Sequence, residues 1–417
     1  MSDPSRSDSS RPNPNEPGPN RPSPLRPDLR QRLAARHDER ARQQLLRRVH
    51  SIDHADATDV WIDGQRLVAF CSNDYLGLAR HPELIQALQR AAAAAGVGST
   101  ASALICGHHR EHAMLEAELA AWTGRERALL FSSGYMANLG VLQALLAHGD
   151  VCVQDKLNHA SLLDAAALAG AELKRYPHAD TDGATRQLAN RPQAAALLAT
   201  DGVFSMDGDI APLAALAELG RSQGALLLVD DAHGLGVLGP HGAGSVDDAG
   251  LDQDQVPLLM GTLGKALGSA GAFIAGPASL IDGIAQFART HIYTTALPPA
   301  LAAAARVAVR LASTDDERRQ RLQARIARFR AGAIQLGLPL MPSSTAIQPL
   351  LLGHATAALQ AAQALRQHGL LVGAIRPPTV PQGQARLRIT LSAAHRDEQI
   401  DRLLDALAST IPGITHA

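Results

Sequence analysis

Short apolar runs that alternate with helical patterns dominate the chain beyond residue 80. The runs are RALLF, VCVQD, AAALLA, GALLLVD, VPLLMGTL and GAFIAG. Continuous apolar runs between helices are typical of a mostly parallel sheet that helices cover on both faces. We therefore predict an α/β fold with a large domain over residues 76–310.

The C-terminal region has a different pattern. Beyond residue 310 a long Arg-rich helix is followed by the strands AIQPLLLG, LLVGAI and RLRITL and by a last helix. This arrangement predicts a smaller α+β domain over residues 311–417.

The N-terminal region is polar. Residues 1–27 are rich in Pro, Ser, Asn and Arg and nearly lack large apolar side chains, which predicts a disordered tail. A charged helix is predicted from Pro27 to Arg48, and a hairpin in VWIDGQRLVAF, whose Asp63-Gly64 pair favours a tight turn. We expect residues 28–75 to join the small domain.

Composition narrows the class of partner. Of the 417 residues, 39 are basic and 40 are acidic, so no overall field favours nucleic acid or a membrane surface, and a small molecule is expected instead. Cys71, Cys106 and Cys152 lack CxxC spacing, and the chain carries no secretory h-region. Neither a disulfide framework nor a zinc site is therefore predicted, and a reducing cytoplasm fits best.

The residues that follow the apolar runs carry the candidate chemistry, because ligands of open α/β sheets bind at the carboxyl ends of the strands. After RALLF, the residues SSGY (132–135) open a helix whose backbone N–H groups could hold a phosphate. An ordinary capped turn has the same sequence. After VCVQD, His159 begins another helix, either as a capping residue or as a ring that lies on a flat cofactor.

Two adjacent carboxylates, Asp230 and Asp231, end the run GALLLVD. Strand alternation points them to opposite sides, so at least one should face the cleft. A buried carboxylate needs a partner such as a protonated ring nitrogen, although a pair of turn aspartates is the alternative. The following GLGVLG matches a dinucleotide-binding pattern, but that fingerprint opens a helix, and Pro240 lies where the helix would run. We predict a glycine-rich loop.

A single lysine, Lys265, lies among small residues in GTLGKALGSAGAF. Burial lowers the pKa of a lysine amine, which is the property needed to bond a carbonyl cofactor. Considered alone, Lys265 fits a solvated loop better than a buried site. A phosphate turn, a stacking histidine, an inward carboxylate and this lysine, each at a strand end, together indicate pyridoxal phosphate.

Longer segments add a specific signal. They are NDYLGLA, LNHASLLDAA, DGVFSMDGDIAPL, VDDAHGLGVLG, GTLGKALG and IRPPTVPQGQARLRITLSAAH. From about residue 28 to the C-terminus the chain resembles the α-oxoamine synthases, fold-type I pyridoxal phosphate enzymes that join an amino acid to an acyl-CoA with loss of carbon dioxide. SLLDAA, MDGDIAPL and IRPPTVP are most similar to the biotin-pathway branch. That similarity implies L-alanine and a pimeloyl group on CoA or acyl-carrier protein as substrates.

The resemblance implies roles for individual residues. Lys265 corresponds to the Schiff-base lysine that also removes the Cα proton, Asp230 to the partner of the pyridinium nitrogen, and His159 to the residue that stacks on the ring and faces the substrate. His233 corresponds to the partner of the ring phenolate oxygen. Further cofactor contacts are implied for Gly134, Tyr135, Ser205 and Thr262.

The resemblance also implies substrate contacts and a second subunit. Thr379 and Arg388 correspond to substrate-binding positions, where Arg388 offers a bidentate fork to the amino-acid carboxylate. Thr294 corresponds to a residue that reaches the phosphate of the neighbouring subunit, so a homodimer with composite sites is implied. A substrate arginine falls in LLRRVH, where spacing does not separate Arg47 from Arg48, and we select Arg47.

Alternatives remain at two levels. The glycine-rich GSGGS run of the family reads GSTASA here (98–103), so the acyl-chain contacts are expected to differ. Glycine acetyltransferase and other members of the family differ in the amino acid and acyl group that they accept. A catalytically silent partner subunit would lack the lysine, and the presence of Lys265 argues against it.

Overall fold

The computed structural model describes residues 26–43 and 45–415, in an N-terminal unit that ends at Arg48 and a second unit that begins at Val49. In the first unit, helix α1 (Leu29–Arg42) is capped by Asp28, whose carboxylate accepts a hydrogen bond from the Arg30 N–H at 2.8 Å. The predicted charged helix is confirmed but ends at Arg42. The predicted disordered tail lies outside the described residues, except for residues 26 and 27.

The second unit begins with a small antiparallel sheet formed by β1 (His54–Asp56), β2 (Asp59–Ile62) and β3 (Gln65–Ala69). The predicted hairpin joins β2 to β3. Its turn residues Asp63 and Gly64 have φ values of 54° and 73°, which a two-residue type I′ turn requires. Sequence therefore predicted both the strands and the turn.

A seven-stranded sheet forms the centre of the second unit. Its strands in chain order are β4 (Arg127–Phe131), β5 (Val151–Asp155), β6 (Glu172–Tyr176), β7 (Ala196–Asp201), β8 (Leu226–Asp230), β9 (Leu258–Thr262) and β10 (Ala272–Gly276). Their spatial order is β4-β10-β9-β8-β7-β5-β6, and only β10 pairs antiparallel. The predicted mostly parallel sheet is confirmed. The apolar runs did not indicate β6, because this edge strand has the polar sequence ELKRY.

Helices cover both faces of this sheet. They are α2 (Pro82–Ala95), α3 (Arg110–Trp122), α4 (Gly134–Leu145), α5 (Ala160–Ala169), α6 (Thr181–Ala189), α7 (Leu213–Gln223), α8 (Ser245–Asp248), α9 (Ala278–Phe287) and α10 (Arg289–Ile292). Leu228 of β8 packs in the core on the side of α4 and α5, whereas Leu227 and Val229 pack on the side of α7. This alternation continues into Asp230 and Asp231.

The glycine-rich segment after β8 forms turns and a short 3₁₀ segment, Pro240–Gly242, rather than a long helix. The predicted glycine-rich loop is confirmed.

The C-terminal region contains four helices and four short strands. They are α11 (Pro299–Thr314), α12 (Asp316–Gln335), α13 (Ala355–Gln367), α14 (Asp397–Thr415), β11 (Ile347–Gly353), β12 (Leu370–Leu371), β13 (Gly373–Ile375) and β14 (Ala385–Thr390). Strands β11, β14 and β13 form one sheet, whereas β12 pairs with β3. The predicted strand LLVGAI is therefore two strands in different sheets, and the predicted domain boundaries remain predictions. In the described part of the chain, no helix has the length and apolar character needed to cross a membrane.

Candidate active site

One cavity of about 130 Å³ lies at the carboxyl ends of the central parallel strands. The predicted site residues that line it are Gly134, Tyr135, His159, Ser205, Asp230, His233, Thr262 and Lys265. The sheet thus brings together residues that are far apart in sequence, as the strand-end rule predicts.

A larger groove of about 890 Å³ lies between α2, α3 and α11. It contains none of the predicted site residues, and its Arg306 is held by Glu111 and Glu118, each at 2.7 Å. The smaller cavity is the candidate active site, because it combines an amine, carboxylates and imidazoles.

The N-terminus of α4 is directed at this cavity. Ser133 caps the helix through its Oγ, which accepts a hydrogen bond from the Met136 N–H at 3.3 Å, and Gly134 and Tyr135 of the first turn line the cavity. The Tyr135 hydroxyl donates to Asp164. Backbone N–H groups and the helix dipole make this turn suitable for a phosphate.

The two carboxylates after β8 lie on opposite faces of the sheet. Asp230 faces the cavity and accepts hydrogen bonds from Asn138 Nδ2 at 2.8 Å and the Ala232 N–H at 3.1 Å. Asp231 is fully buried on the other side, where it accepts from the Ser245 hydroxyl and N–H at 2.6 and 2.7 Å. Asp230 is therefore the carboxylate that can reach a ligand.

Lys265 lies in the turn after β9. Burial lowers the pKa of its amine, Asp230 and Asp201 counteract this effect, and Arg388 adds to it. The lowered pKa agrees with the expected property of a lysine that bonds a carbonyl cofactor. Thr262 ends β9, and its Oγ1 donates to the Gly271 carbonyl at 3.2 Å while accepting from the Gly264 N–H at 3.3 Å. These contacts fix the turn that presents the lysine.

His159 begins α5 at the edge of the cavity. Its backbone N–H donates to Asp201 at 3.1 Å, and its ring meets the Tyr135 ring edge-on with centroids 6.3 Å apart. Burial of the ring lowers the pKa of His159. Burial and the charge of Asp230 raise the pKa of Asp201 well above its ordinary value. The neutral ring is suited to stacking and to donating one hydrogen bond.

His233 and Arg388 are joined through a buried polar network. The Tyr75 hydroxyl lies 2.6 Å from His233 Nδ1 and 3.1 Å from Asn73 Oδ1, and Arg388 Nη1 donates to the same Asn73 oxygen at 3.2 Å. Arg388 Nε also donates to the Ser205 carbonyl at 2.6 Å. Burial, together with Lys265 and Arg388, lowers the pKa of His233 well below its ordinary value. Arg388 thus belongs to the surroundings of the cavity, and its contact with the substrate stays a prediction.

Thr294 and Thr379 do not line this cavity. Thr294 lines a separate small cavity with Ala103, Ser132 and Thr290. Thr379 is exposed in a turn, where its N–H donates to the Arg376 carbonyl at 3.1 Å. Arg47 belongs to the N-terminal unit, and its role stays a prediction.

Sequence reasoning missed several residues of the site. Asn138, Ser161 and Asp201 are buried around the cavity, and Tyr75 and Asn73 hold His233 and Arg388. A signal existed for Asn138, because it is a polar residue in the otherwise apolar helix GYMANLGVLQAL.

Comparisons with known proteins agree with one another. A model of the family "Aminotransferase class I and II" matches residues 65–407. The chain is 56% identical to a protein of Xylella fastidiosa (strain M12) named 8-amino-7-oxononanoate synthase, over 91% of this chain and 95% of that protein.

Two solved structures extend the similarity to the fold. One is a variant serine palmitoyltransferase from S. paucimobilis with a bound PLP–myriocin aldimine, at a TM-score of 0.89 and 29% identity over 94% of this chain and 100% of that chain. The other is 8-amino-7-oxononanoate synthase from Francisella tularensis, at a TM-score of 0.73 and 30% identity over 83% of this chain and 98% of that chain.

Proposed function

The chain belongs to the class I and II aminotransferase family and, within it, to the 8-amino-7-oxononanoate synthases, and from this premise we propose how its residues carry out the reaction. It is a pyridoxal phosphate-dependent acyltransferase of fold type I, as predicted. It condenses L-alanine with a pimeloyl thioester and releases 8-amino-7-oxononanoate, carbon dioxide and the thiol, in biotin biosynthesis. The placement of Lys265, Asp230 and His159 around one cavity is the observation that carries this function.

The residues of the cavity fit pyridoxal phosphate. The N-terminus of α4 matches its phosphate, the carboxylate of Asp230 its ring nitrogen, and the amine of Lys265 its aldehyde. His159 supplies a ring for stacking, and His233 an imidazole for the phenolate oxygen. When bound, the cofactor supplies an electron sink for negative charge at the α-carbon of the amino acid.

The side chains then have distinct tasks. The amine of Lys265 is neutral more often than that of a solvated lysine, so its Nζ can accept the Cα proton of L-alanine and later return it. The charge of Asp230 favours a protonated nitrogen beside it. The Nε2–H of His159 donates to the acyl carbonyl oxygen as negative charge develops there.

Arg388 binds the carboxylate of L-alanine. A guanidinium has five N–H donors, and the contacts to Ser205 and Asn73 orient it without using all of them. We assign Thr379 and Arg47 to the substrate on the resemblance alone.

A second copy of the chain completes the site in our proposal. Exposed apolar side chains cluster where the π-helical turn Ala103–Gly107 meets α10: Ile105 is 79% and Tyr293 73% exposed. Thr294 is close to these residues but does not line its own chain's main cavity. An apolar patch beside such a residue supports a homodimer in which the partner subunit's Thr294 contacts the phosphate.

The dimer is tested by placing a charge in the patch. Ile105→Asp should sediment as a monomer in analytical ultracentrifugation. Its activity in the thiol-release assay should be greatly reduced. Ile334→Asp is the control, because Ile334 is also an exposed isoleucine, 66% exposed, but lies on α12. The control variant should remain a dimer. Dissociation of both variants, or of neither, would contradict the proposed interface.

The reaction is tested by thiol release from pimeloyl-CoA with L-alanine, glycine or L-serine, and with acetyl-CoA as the other acyl donor. Release with L-alanine and pimeloyl-CoA alone is expected. Release with glycine and acetyl-CoA would instead indicate a glycine acetyltransferase. Pimeloyl-acyl-carrier protein is assayed in parallel to identify the preferred carrier of the acyl group.

We also propose a cytoplasmic location for the protein.

A further inference from the structure

A buried chain of hydrogen bonds connects Asp230 to His159. Asn138 of α4 is completely buried, and its Nδ2 lies 2.8 Å from Asp230 Oδ2 and 2.9 Å from Ser161 Oγ. Ser161, in the first turn of α5, is 1% exposed, and its Oγ lies 2.8 Å from His159 Nδ1. Because the linking groups are shielded from water, the direction of each bond can be assigned from the number of available protons.

The assignment starts at the carboxylate. An ionised carboxylate only accepts hydrogen bonds, so the NH₂ group of Asn138 must face Asp230, since a rotated amide would place oxygen against oxygen. The second hydrogen of the same Nδ2 then donates to Ser161 Oγ. The hydroxyl keeps one proton of its own, which it can donate to His159 Nδ1.

The backbone N–H of Ser161 indicates the same tautomer of His159. His159 is the N-cap residue of α5, and its Nδ1 accepts a hydrogen bond from the Ser161 N–H at 3.3 Å. A proton on Nδ1 would oppose this N–H, so the backbone adds to the hydroxyl in favouring a lone pair on Nδ1. The ring proton therefore lies on Nε2, on the opposite side of the ring from Ser161.

We propose that Ser161 and Asn138 are positioning residues that hold His159 as a neutral Nε2–H donor and couple it to Asp230. The inference rests on the proposed function, because the acceptor of that N–H is the acyl carbonyl oxygen of the condensation. The other tautomer would present a lone pair to the same oxygen and would repel the developing charge. Asn138 also links the donor to the carboxylate that faces the cofactor nitrogen.

The charged surroundings of His159 are consistent with a neutral ring. The groups that face it are Asp164, Asp201, Asp230, His233 and Lys265. Burial lowers the pKa of His159, Asp230 and Asp164 act against this effect, and Lys265 adds to it. Both donors to Nδ1 would be lost on protonation, so Ser161 also favours the neutral ring.

The tautomer can be measured without reference to turnover. In holoenzyme labelled with ¹⁵N-histidine, NMR should show His159 as the Nε2–H tautomer near neutral pH, with its signal assigned by its loss in His159→Asn. Ser161→Ala keeps the backbone N–H but loses the shorter hydroxyl contact, so it should raise the pKa of His159 and populate part of the other tautomer. It should also lower kcat about tenfold, with KM for L-alanine changed less than about twofold. Ser161→Thr keeps the hydroxyl and should restore both the tautomer and kcat.

Ser245→Ala is the matched control. Ser245 is also 1% exposed, and its hydroxyl binds Asp231 on the other face of the sheet, so this variant should lose stability and leave the His159 signal unchanged. An Nδ1–H signal in the wild type would overturn the proposal. So would an unchanged tautomer and pKa in Ser161→Ala. If the tautomer behaves as expected but the wild type makes no product from L-alanine and pimeloyl-CoA, the proposed function fails and the hydrogen-bond assignment stands.

Discussion

The cavity around Lys265 and the cluster around His178 lie at neighbouring strand ends, and their histidines differ in charge. In the cavity, Lys265, His159 and His233 all have lowered pKa values. In the cluster, His178 Nδ1 lies 3.2 Å from Asp155 and its Nε2 lies 2.7 Å from Asp209. Burial alone would lower the pKa of His178, but hydrogen bonds to the two carboxylates outweigh it and raise the pKa to about 10.

The difference between these histidines shows that the charge of an imidazole depends on its hydrogen-bond partners and on nearby charges. His233 is bonded to a neutral hydroxyl and faces the cations Lys265 and Arg388, so its ring stays neutral. His178 bridges two carboxylates and stays charged, which ties β5 to the loop after β7. The cavity therefore keeps groups that can exchange protons, and the cluster keeps an ion pair that holds the loop with Ser205 in place.

Replacing Lys265 by Ala should have the largest effect, because it removes the amine from the cavity. Without Nζ nothing bonds the cofactor aldehyde or accepts the Cα proton, so turnover should fall at least about 1,000-fold and the yellow colour of covalently bound cofactor should be lost. Thiol release and the visible spectrum measure both effects. A variant that retained colour and turnover would contradict the assignment of Lys265.

Substitutions of Asp230 and Asp231 compare the two faces of the sheet. Asp230→Asn removes the charge that faces the cavity, and kcat should fall about 100-fold. Asp231→Asn should keep kcat and lower the free energy of unfolding by about 1–3 kcal/mol, because the amide cannot accept both bonds from Ser245. Urea unfolding and steady-state kinetics distinguish them.

The Asp231 side chain is also tightly packed, since a Cβ at Gly244 would lie 2.1 Å from its Oδ2.

Equal losses of kcat in Asp230→Asn and Asp231→Asn would contradict the assignment of the two carboxylates to opposite faces.

His178→Gln should break the cluster and leave the cavity intact. The pKa of His178 is raised from 6.5 to about 10 in the folded chain, so its stabilisation is fully present below about pH 6.5 and is lost as pH rises through 10. The variant should be about 2 kcal/mol less stable near pH 6.5. Urea unfolding between these pH values should show that the wild type loses stability more steeply than the variant. Parallel pH profiles would show that His178 is not charged.

Tyr75→Phe should have the smallest effect, because Tyr75 acts on the cavity only through its contact with His233. The variant removes the hydroxyl at 2.6 Å from His233 Nδ1, at a cost of about 1 kcal/mol, which corresponds to a fivefold to tenfold lower kcat. Tyr176→Phe is the matched control, because Tyr176 is also 1% exposed, whereas the hydroxyl that contacts His233 belongs to Tyr75. An equal loss of kcat in both variants would show that the effect is not specific to His233.

Much of the molecule follows from local sequence rules. The apolar runs predicted the buried strands, and Asp63-Gly64 predicted the hairpin, because these signals depend only on neighbouring residues. The strand-end positions of His159, Asp230 and Lys265 were likewise visible, because a parallel sheet gathers its carboxyl ends at one edge.

Local rules have a clear limit at β8. Strand alternation by itself required Asp230 and Asp231 to face opposite sides, but it could not say which side holds the cavity. Packing decided this: Asp230 continues the face of Leu228 toward α4 and α5, where Asn138 lies. LLVGAI showed the same limit, because its division into β12 and β13 depends on partner strands distant in sequence.

The order of the chemical groups along the chain, and the strand ends that carry them, could be predicted from the sequence. Their partners come from distant segments that meet only in the folded chain: Tyr75 meets His233 158 positions away, and Asn138 meets Asp230 92 positions away. A residue's neighbours fix its backbone direction, whereas its pKa and tautomer depend on burial and on charges from distant segments. For this reason sequence identified His159 as a site residue, and only the fold assigned its proton to Nε2.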